Sequence, residues 1–368
     1  MEVVRYSSLE ELQIHAAAWD DLAGDIPFRS WTWQSVWWRH YGAIGQLCVL
    51  AVFEGADLVG IAPWYRTTSA SHGQTIRFLG DVEVCSEYPT VLCRRGREEG
   101  VTTALVEWLS KVRGADRWDV LELAPVDGND SMVPALAQQM TERGCRLHTR
   151  PGHGCWRVIL PPTWDEYLQM PSKNFRSQIK RLRRQYLDSG STVWHTARTE
   201  EELAVAQRVL VDLHQRRRNS LGQPGCFAWP RYRAFQEEVL PELLRESRLG
   251  LKWVEFEGRP IASEYLLLGG RTVYCYQGGI SPEDSQRSPG RIALLCAFKE
   301  AIEQGYTAFD FLRGNEPYKQ QWRAQHQPNL ELRIVADRTS AQLRHGMWLA
   351  GVDAKEWLKG AMTAMHFR

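Results

Sequence analysis

A chain of 368 residues is longer than one ordinary domain and fits two. Hydrophobic residues make up 43% and charged residues 24%, enough apolar material for packed cores, which excludes wholesale disorder. Lys plus Arg total 45 against 44 Asp plus Glu; a formal charge of +1 gives no long-range field for DNA, RNA or an anionic membrane, so any such contact needs a local patch.

The first residues, Met1 to Glu11, carry acids where a secretion signal needs bases and then an apolar stretch. No apolar run approaches the ~20 residues needed to span a bilayer, so no transmembrane segment is expected. The cysteines at 48, 85, 93, 145, 155, 226, 275 and 296 show neither Cys-x-x-Cys nor paired His spacing. That pattern speaks against a structural metal or a disulfide framework, and predicts buried reduced thiols in a cytoplasmic protein.

Trp31 to Trp38 predicts a helix that buries large rings. Leu47–Phe53 and Leu58–Tyr65 flank Glu54-Gly55-Ala56-Asp57, a strand-turn-strand signature. Helical periodicity follows at Val101–Val112, then a strand at Trp118–Leu123, then turn-rich Pro151–Gly154 and Pro161-Pro162, where a seam is expected. Phe175–Leu187 and Glu201–Leu213 read as helices. Leu251–Phe256, Ile261–Leu268 and Thr272–Gln277 read as strands, Ile292–Glu303 as a helix, and Leu343–Leu358 as a helical tail. Strands alternate with helices throughout, which indicates α/β. Phe53-Glu54-Gly55 before Ile61-Ala62 is echoed by Phe256-Glu257-Gly258 before Ile261-Ala262. Each pair precedes an apolar helix and an Asp-bearing strand, consistent with two related halves.

The segment from Tyr274 to Trp322 is the richest in chemistry. A strand empties into the polar loop Ser281–Ser288, and Pro289-Gly290-Arg291 opens a helix. Free amides, the positive end of the helix dipole and a glycine suit a phosphate or diphosphate, with Arg287 and Arg291 adding charge. The same residues also suit a plain Pro-Gly turn with Ser288 as cap.

Arg287-x-x-Gly290-x-Ile292 between strand and helix resembles the acyl-CoA diphosphate loop of GNAT-type acetyltransferases, usually Gln/Arg-x-x-Gly-x-Gly/Ala; Ile292 departs from it at the last place. The run Phe309–Lys319 with Trp322 is similar to the ending of the cellulose-biosynthesis-associated (CelD-type) tandem GNAT branch. So are Leu213-His214-x-x-Arg217 with Gly225-Cys226-Phe227, and the basic helix Phe175–Arg181. The resemblance spans about 160 to 325 and is faint before it. It implies two tandem GNAT-like units, each a mixed central sheet flanked by helices, and a C-terminal helical tail. The expected divisions are 1–158, a degenerate unit shaping an acceptor cleft; 159–335, an acyl-CoA-binding unit; and 336–368, the tail. In the first unit Arg97-Glu98-Glu99-Gly100 has the loop spacing, but its two carboxylates would repel a diphosphate by several kcal/mol if desolvated.

The implied reaction is transfer of an acetyl or other acyl group from acyl-CoA, without a metal, to an amine or hydroxyl of a small-molecule or saccharide acceptor. Arg287, Ser288, Gly290 and Arg291 are the expected donor-binding residues. Glu264, on a strand face with Ala262 and Leu266, is the candidate general base; Tyr276, with Tyr274, is the candidate acid. Asp310 is a further catalytic candidate, equally readable as a structural residue; His214, beside an apolar stripe, is more often a satisfied core or rim residue, and the resemblance adds it as an acceptor-site candidate. Arg313, Tyr318 and Lys319 are expected at the acceptor. Fem-type transferases share the tandem layout, so an aminoacyl-tRNA donor is an alternative; Lys173, Arg176, Lys180, Arg181, Arg183 and Arg184 would meet the RNA, or simply form a solvated face. A non-catalytic scaffold that keeps the fold is a third reading.

Overall fold

The computed structural model describes residues 1–351. The expected α/β class holds: three sheets are flanked by helices. The second half is organised around a seven-stranded sheet. Its strands lie in the order Thr192–Thr196, Leu249–Phe256, Arg259–Gly269, Thr272–Ile280, Ala308–Arg313, Cys155–Ile159, Gln325–Gln327. Helices Glu200–Ser220 and Pro230–Arg245 cover one face through Leu210, Phe235 and Leu243. Helices Lys173–Leu182 and Pro289–Glu303 cover the other through Ile179, Ile292 and Phe298. Three of these helices follow the 3.6-residue apolar period read in the sequence; Pro230–Arg245 is an addition to that reading.

The first half holds a four-stranded sheet with Glu2–Tyr6, Val49–Glu54 and Asp57–Ala62, and a six-stranded sheet with Trp64–Ser69, Gly73–Phe78 and Val120–Asp127. Pro63 divides what hydrophobicity alone reads as one strand, because proline cannot donate to a ladder. In this half Gly73–Phe78 and Val120–Asp127 are parallel and connected through helix Glu98–Lys111. In the other, Thr272–Ile280 and Ala308–Arg313 are parallel and connected through helix Pro289–Glu303. Each arrangement follows a hairpin at the repeated Glu-Gly, so the internal echo in the sequence has a structural counterpart.

Strand pairing crosses the division expected at 158/159. Cys155–Ile159 pairs with Ala308–Arg313 and belongs to the second sheet. Asn329–Val335, placed by sequence in 159–335, pairs with Val120–Asp127 and Arg146–Pro151 in the first. Such exchange is set by non-local backbone pairing, which leaves no mark on local composition. A helix begins at 339 and runs to 351; the rest of the expected 336–368 tail lies outside the described residues.

Two irregularities in the seven-stranded sheet make the site. The parallel strands pair only over Thr272–Tyr274 with Ala308–Asp310, and past that point they form a fork. Tyr276 is an extra residue opposite Arg259–Gly269, since Tyr265 pairs with Gln277 and Leu266 with Cys275. Such a bulge re-aims side chains and commonly sits beside active sites. Close packing keeps the fork in place. A Cβ on Gly279 would stand 2.6 Å from the backbone N of His214 and 2.9 Å from Leu213 Cβ, so helix Glu200–Ser220 rests directly on the strand. Gly279→Ala is therefore expected to cost about 2–3 kcal/mol, seen as a lower urea midpoint with unchanged slope.

Candidate active site

A cleft of about 810 Å³ opens through the fork and reaches both faces of the sheet. Helix Glu200–Ser220 brings His214, Arg217 and Arg218 to it; strand Arg259–Gly269 brings Glu264 and the fork strand Thr272–Ile280 brings Cys275 and Tyr276; the fork helix brings Ser288, Gly290 and Arg291. A loop of the first half, with Glu83, Cys85 and Glu87, closes the remaining side. Both halves thus build one site.

The helix end, with Ser288, Gly290 and Arg291, lines the cleft. Ser288 has φ +56°, a left-handed conformation that turns the chain sharply into Pro289. Gly290, second in the helix, has no intrahelical acceptor for its N–H. Arg217, Arg218 and Arg291 have no carboxylate partner among the described residues; Arg218 donates to Gln223, and Arg291 to Gln178 and Gln321. Three guanidiniums without counter-charge and a helix N-terminus make this end of the cleft anion-seeking. Arg287 departs from its expected place. It donates to Asp284 at 2.8 Å and lies over the Phe256 ring, outside the cleft lining, where it braces the loop from behind.

Glu264 is 7% exposed and lines the cleft on the Ala262–Leu266 face, as alternation predicts. Burial pushes its carboxyl up to about 8, and its polar contact is the Cys275 thiol, 3.4 Å from Oε2. Gly278 lies opposite it, where a Cβ would approach Oε2 to 3.3 Å. A carboxyl that is neutral below about pH 8 yet reaches a solvent-filled cleft can exchange a proton with a bound group.

Tyr276 lines the cleft, but its hydroxyl donates to the Val84 carbonyl at 2.6 Å. Its ring packs against Phe28, Trp33 and Tyr265, so it ties the two halves together and its proton is already engaged. Asp310 is fully buried and outside the cleft lining, against the expectation of a catalytic carboxylate there. It accepts from the Tyr88 hydroxyl at 2.5 Å, Arg157 Nε at 3.0 Å and the Leu312 amide at 2.8 Å, which uses its lone pairs structurally.

His214 is at the cleft, buried and held neutral by that burial. Arg313 reaches across to Glu87, which is 1% exposed, in an ion pair between halves. Lys319 is 2% exposed and its ammonium donates to the carbonyls of Leu312, Arg313 and Gly314 and pairs with Glu316, so it closes the end of strand Ala308–Arg313 with no donor to spare. Tyr318 packs edge-on to Phe311 and keeps its place on the cleft wall.

The residues missed in the sequence are those of the first-half loop. Val82, Cys85 and Tyr88 all have φ between +52° and +60°, costly for non-glycine residues and concentrated where function tends to sit. Glu87 Oε2 is buried without a hydrogen-bond partner. No periodicity or turn signature announces this loop, and a β-branched residue such as Val82 is a poor indicator of left-handed backbone.

Residues 173–320 match the family model described as an acetyltransferase (GNAT) domain. The match lies wholly within the second half. No curated protein sequence matches the chain significantly. Among solved structures, the crystal structure of FemX is similar with a TM-score of 0.63 at 12% identity, covering 93% of this chain and 99% of FemX. The C-terminal domain (DUF2156) of a putative lysylphosphatidylglycerol synthetase from Agrobacterium fabrum is similar at 0.54 and 12% identity, covering 95% and 96%. L-PGS from Bacillus licheniformis scores 0.54 at 12% identity, covering 95% and 97%. At such identities the likeness is one of fold, and it extends over both halves. Among the described residues, no helix is long and apolar enough to cross a membrane, and no group of three or more His, Cys, Asp or Glu is placed to hold a metal.

Proposed function

We propose that the chain is an acyltransferase that draws its acyl group from acyl-CoA, in the manner of the CelD-type tandem branch. The observation that carries this is the fork: two parallel strands part after Tyr274 and Asp310, and the helix N-terminus at Gly290, with three guanidiniums free of carboxylates, faces the opening. A diphosphate fits that end, and the thioester would lie along the unpaired edge of the fork strand beside Glu264 and Cys275. The first half acts as a degenerate unit whose Glu83–Glu87 loop walls the acceptor side. Glu264 is the base that relieves the attacking amine or hydroxyl of its proton. The acceptor is a small molecule or saccharide, and the work is done in the cytoplasm. Incubation with isotope-labelled acetyl-CoA and a panel of amines, sugars and peptides, read by mass spectrometry, tests the activity. Label transfer that disappears in Glu264→Gln supports it; transfer undiminished in that variant removes Glu264 from the mechanism.

One observation favours a second reading. Lys173, Lys180, Arg181 and Arg184 are exposed on the helix that Gln178 ties to Arg291, and none has an ion-pair partner among the described residues. With FemX among the similar folds, an aminoacyl-tRNA donor is the competing assignment. It predicts tRNA retention on filters that falls steeply between low and moderate salt and is lost in Lys180→Glu/Arg184→Glu. Salt-insensitive or undetectable retention leaves acyl-CoA as the donor.

A further inference from the structure

Behind the fork strand lies a chain of reactive side chains that the donor site does not explain. His214 Nε2 is 3.6 Å from Cys226 Sγ, and His214 Nδ1 is 3.1 Å from Gln215 Oε1. The amide of Gln215 is oriented by its own Nε2, which donates to the Pro224 carbonyl at 2.9 Å. A carbonyl oxygen can only accept, so it is Oε1 that faces the imidazole, and Nδ1 carries the ring proton. Nε2 therefore presents a lone pair to the Cys226 thiol. From the bulged part of the fork strand, Gln277 Nε2 donates to the same sulfur at 3.5 Å. The thiol is thus held between a donor on the fork strand and a base on helix Glu200–Ser220.

The backbone is shaped to admit this arrangement. Gly225 has φ +73°, and a Cβ there would run into Gln215 Oε1, so only glycine leaves room for the group that orients the ring. Gly279 lets His214 approach the fork. A nucleophile, a base and a residue that fixes the base's tautomer, in contact and in that order, is the constellation of covalent acyl transfer. His214 and Gln277 line the cleft, with half-buried Cys226 directly behind them. Cys275, which lines the cleft as Cys85 does, faces a carboxyl instead of an imidazole.

We infer that Cys226 receives the acyl group as a thioester before it passes to the acceptor, with His214 moving the proton; the inference rests on the acyl-donor reading above. Cys226 Sγ attacks the carbonyl carbon of the donor thioester, and as the new S–C bond forms the thiol proton goes to His214 Nε2. The intermediate collapses with cleavage of the donor's own C–S bond, and His214 returns the proton to the departing thiolate, so free CoA leaves. The acceptor's nitrogen or oxygen then attacks the acyl carbon and gives its proton to Glu264; the bond to Cys226 Sγ breaks, the departing thiolate takes a proton through His214, and Glu264 returns its own to solvent, so the thiol is restored. Burial keeps the imidazole neutral and the thiol protonated, with the thiol pushed up to about 11, so the proton moves only as attack occurs.

The full chain, mixed with acetyl-CoA without acceptor and quenched in acid, is read by intact mass and peptide mapping, with acetyl-CoA binding measured in parallel by calorimetry. One added acetyl on the Cys226 peptide, labile to hydroxylamine, is expected. It is absent in Cys226→Ser, and forms about 100-fold more slowly in His214→Gln. Gln215→Leu keeps both reacting groups and only frees the ring; it is expected to slow acetylation about tenfold, so the result does not depend on one variant folding. Binding of acetyl-CoA with no adduct, or an adduct on Cys275 or Cys85, overturns the covalent step and leaves the donor assignment standing. Absence of binding overturns both.

Discussion

Arg313→Ala is expected to destabilise the protein by on the order of 3–5 kcal/mol, the range found when one partner of a buried ion pair is removed. Arg313 is only half-buried, but Glu87, its partner, is 1% exposed and cannot be rehydrated without opening the contact between the halves. Glu87 Oε2 already lacks a hydrogen bond, so the guanidinium is what holds its charge in place. Burial raises the Glu87 carboxyl and Arg313 pulls it back down. The net shift is upward even with Arg313 in place, and without it the folded carboxyl rises further. The variant's deficit is therefore smallest in acid and grows as pH rises. Urea melts at about pH 5 and about pH 8 check this, and Glu87→Gln in the same background is expected to flatten the difference. A loss under about 1 kcal/mol at both pH values would mean the pair is solvated and does not join the halves.

Glu264→Gln is expected to make the protein more stable in alkali, by on the order of 4 kcal/mol at about pH 9, while abolishing most of its activity. The folded-state carboxyl is raised from an ordinary 4.5 to about 8. Below the lower value both states are protonated and the group contributes nothing. Between the two values the folded chain keeps a proton that the unfolded chain has lost, so stability falls as pH rises. Above about 8 the whole cost of the buried charge is present. Gln keeps the shape of the neutral acid and carries no such cost. If Glu264 is the base, the wild-type rate rises with pH through about 8 and the variant loses about 10²–10⁴-fold without that rise. Denaturant melts across pH and a pH–rate profile separate the two effects. A variant with the wild type's alkaline instability would place the titrating group elsewhere.

Local chemistry was the part of this protein legible in its sequence. The helix that Pro289 opens, the Glu-Gly hairpins and the apolar face of Phe175, Ile179 and Leu182 all follow from short-range periodicity and turn residues. Glu264 and Gly290 could be placed because a strand alternates and a helix start has unpaired amides. What sequence order conceals is long-range pairing. The crossing of Cys155–Ile159 and Asn329–Val335 between sheets depends on hydrogen bonds across more than a hundred residues. Asp310 and Lys319 show the same limit in side chains. Both are charged residues near a cleft, and both are spent on structure, because Tyr88 and Arg157 claim one and three strand-end carbonyls claim the other. The strand face of Tyr276 suggests an acid, whereas its hydroxyl meets Val84, a residue from the opposite half.

The claim on which the account turns is that the helix end at Gly290 receives the diphosphate of an acyl-CoA. Calorimetric titration of acetyl-CoA into the wild type, Gly290→Glu and Lys180→Glu measures it directly. Saturable binding near one per chain is expected for the wild type and Lys180→Glu, with none for a folded Gly290→Glu, whose added charge lies where the phosphates would. No heat and no thermal shift for the wild type at millimolar acetyl-CoA, or equal binding by Gly290→Glu, would contradict it.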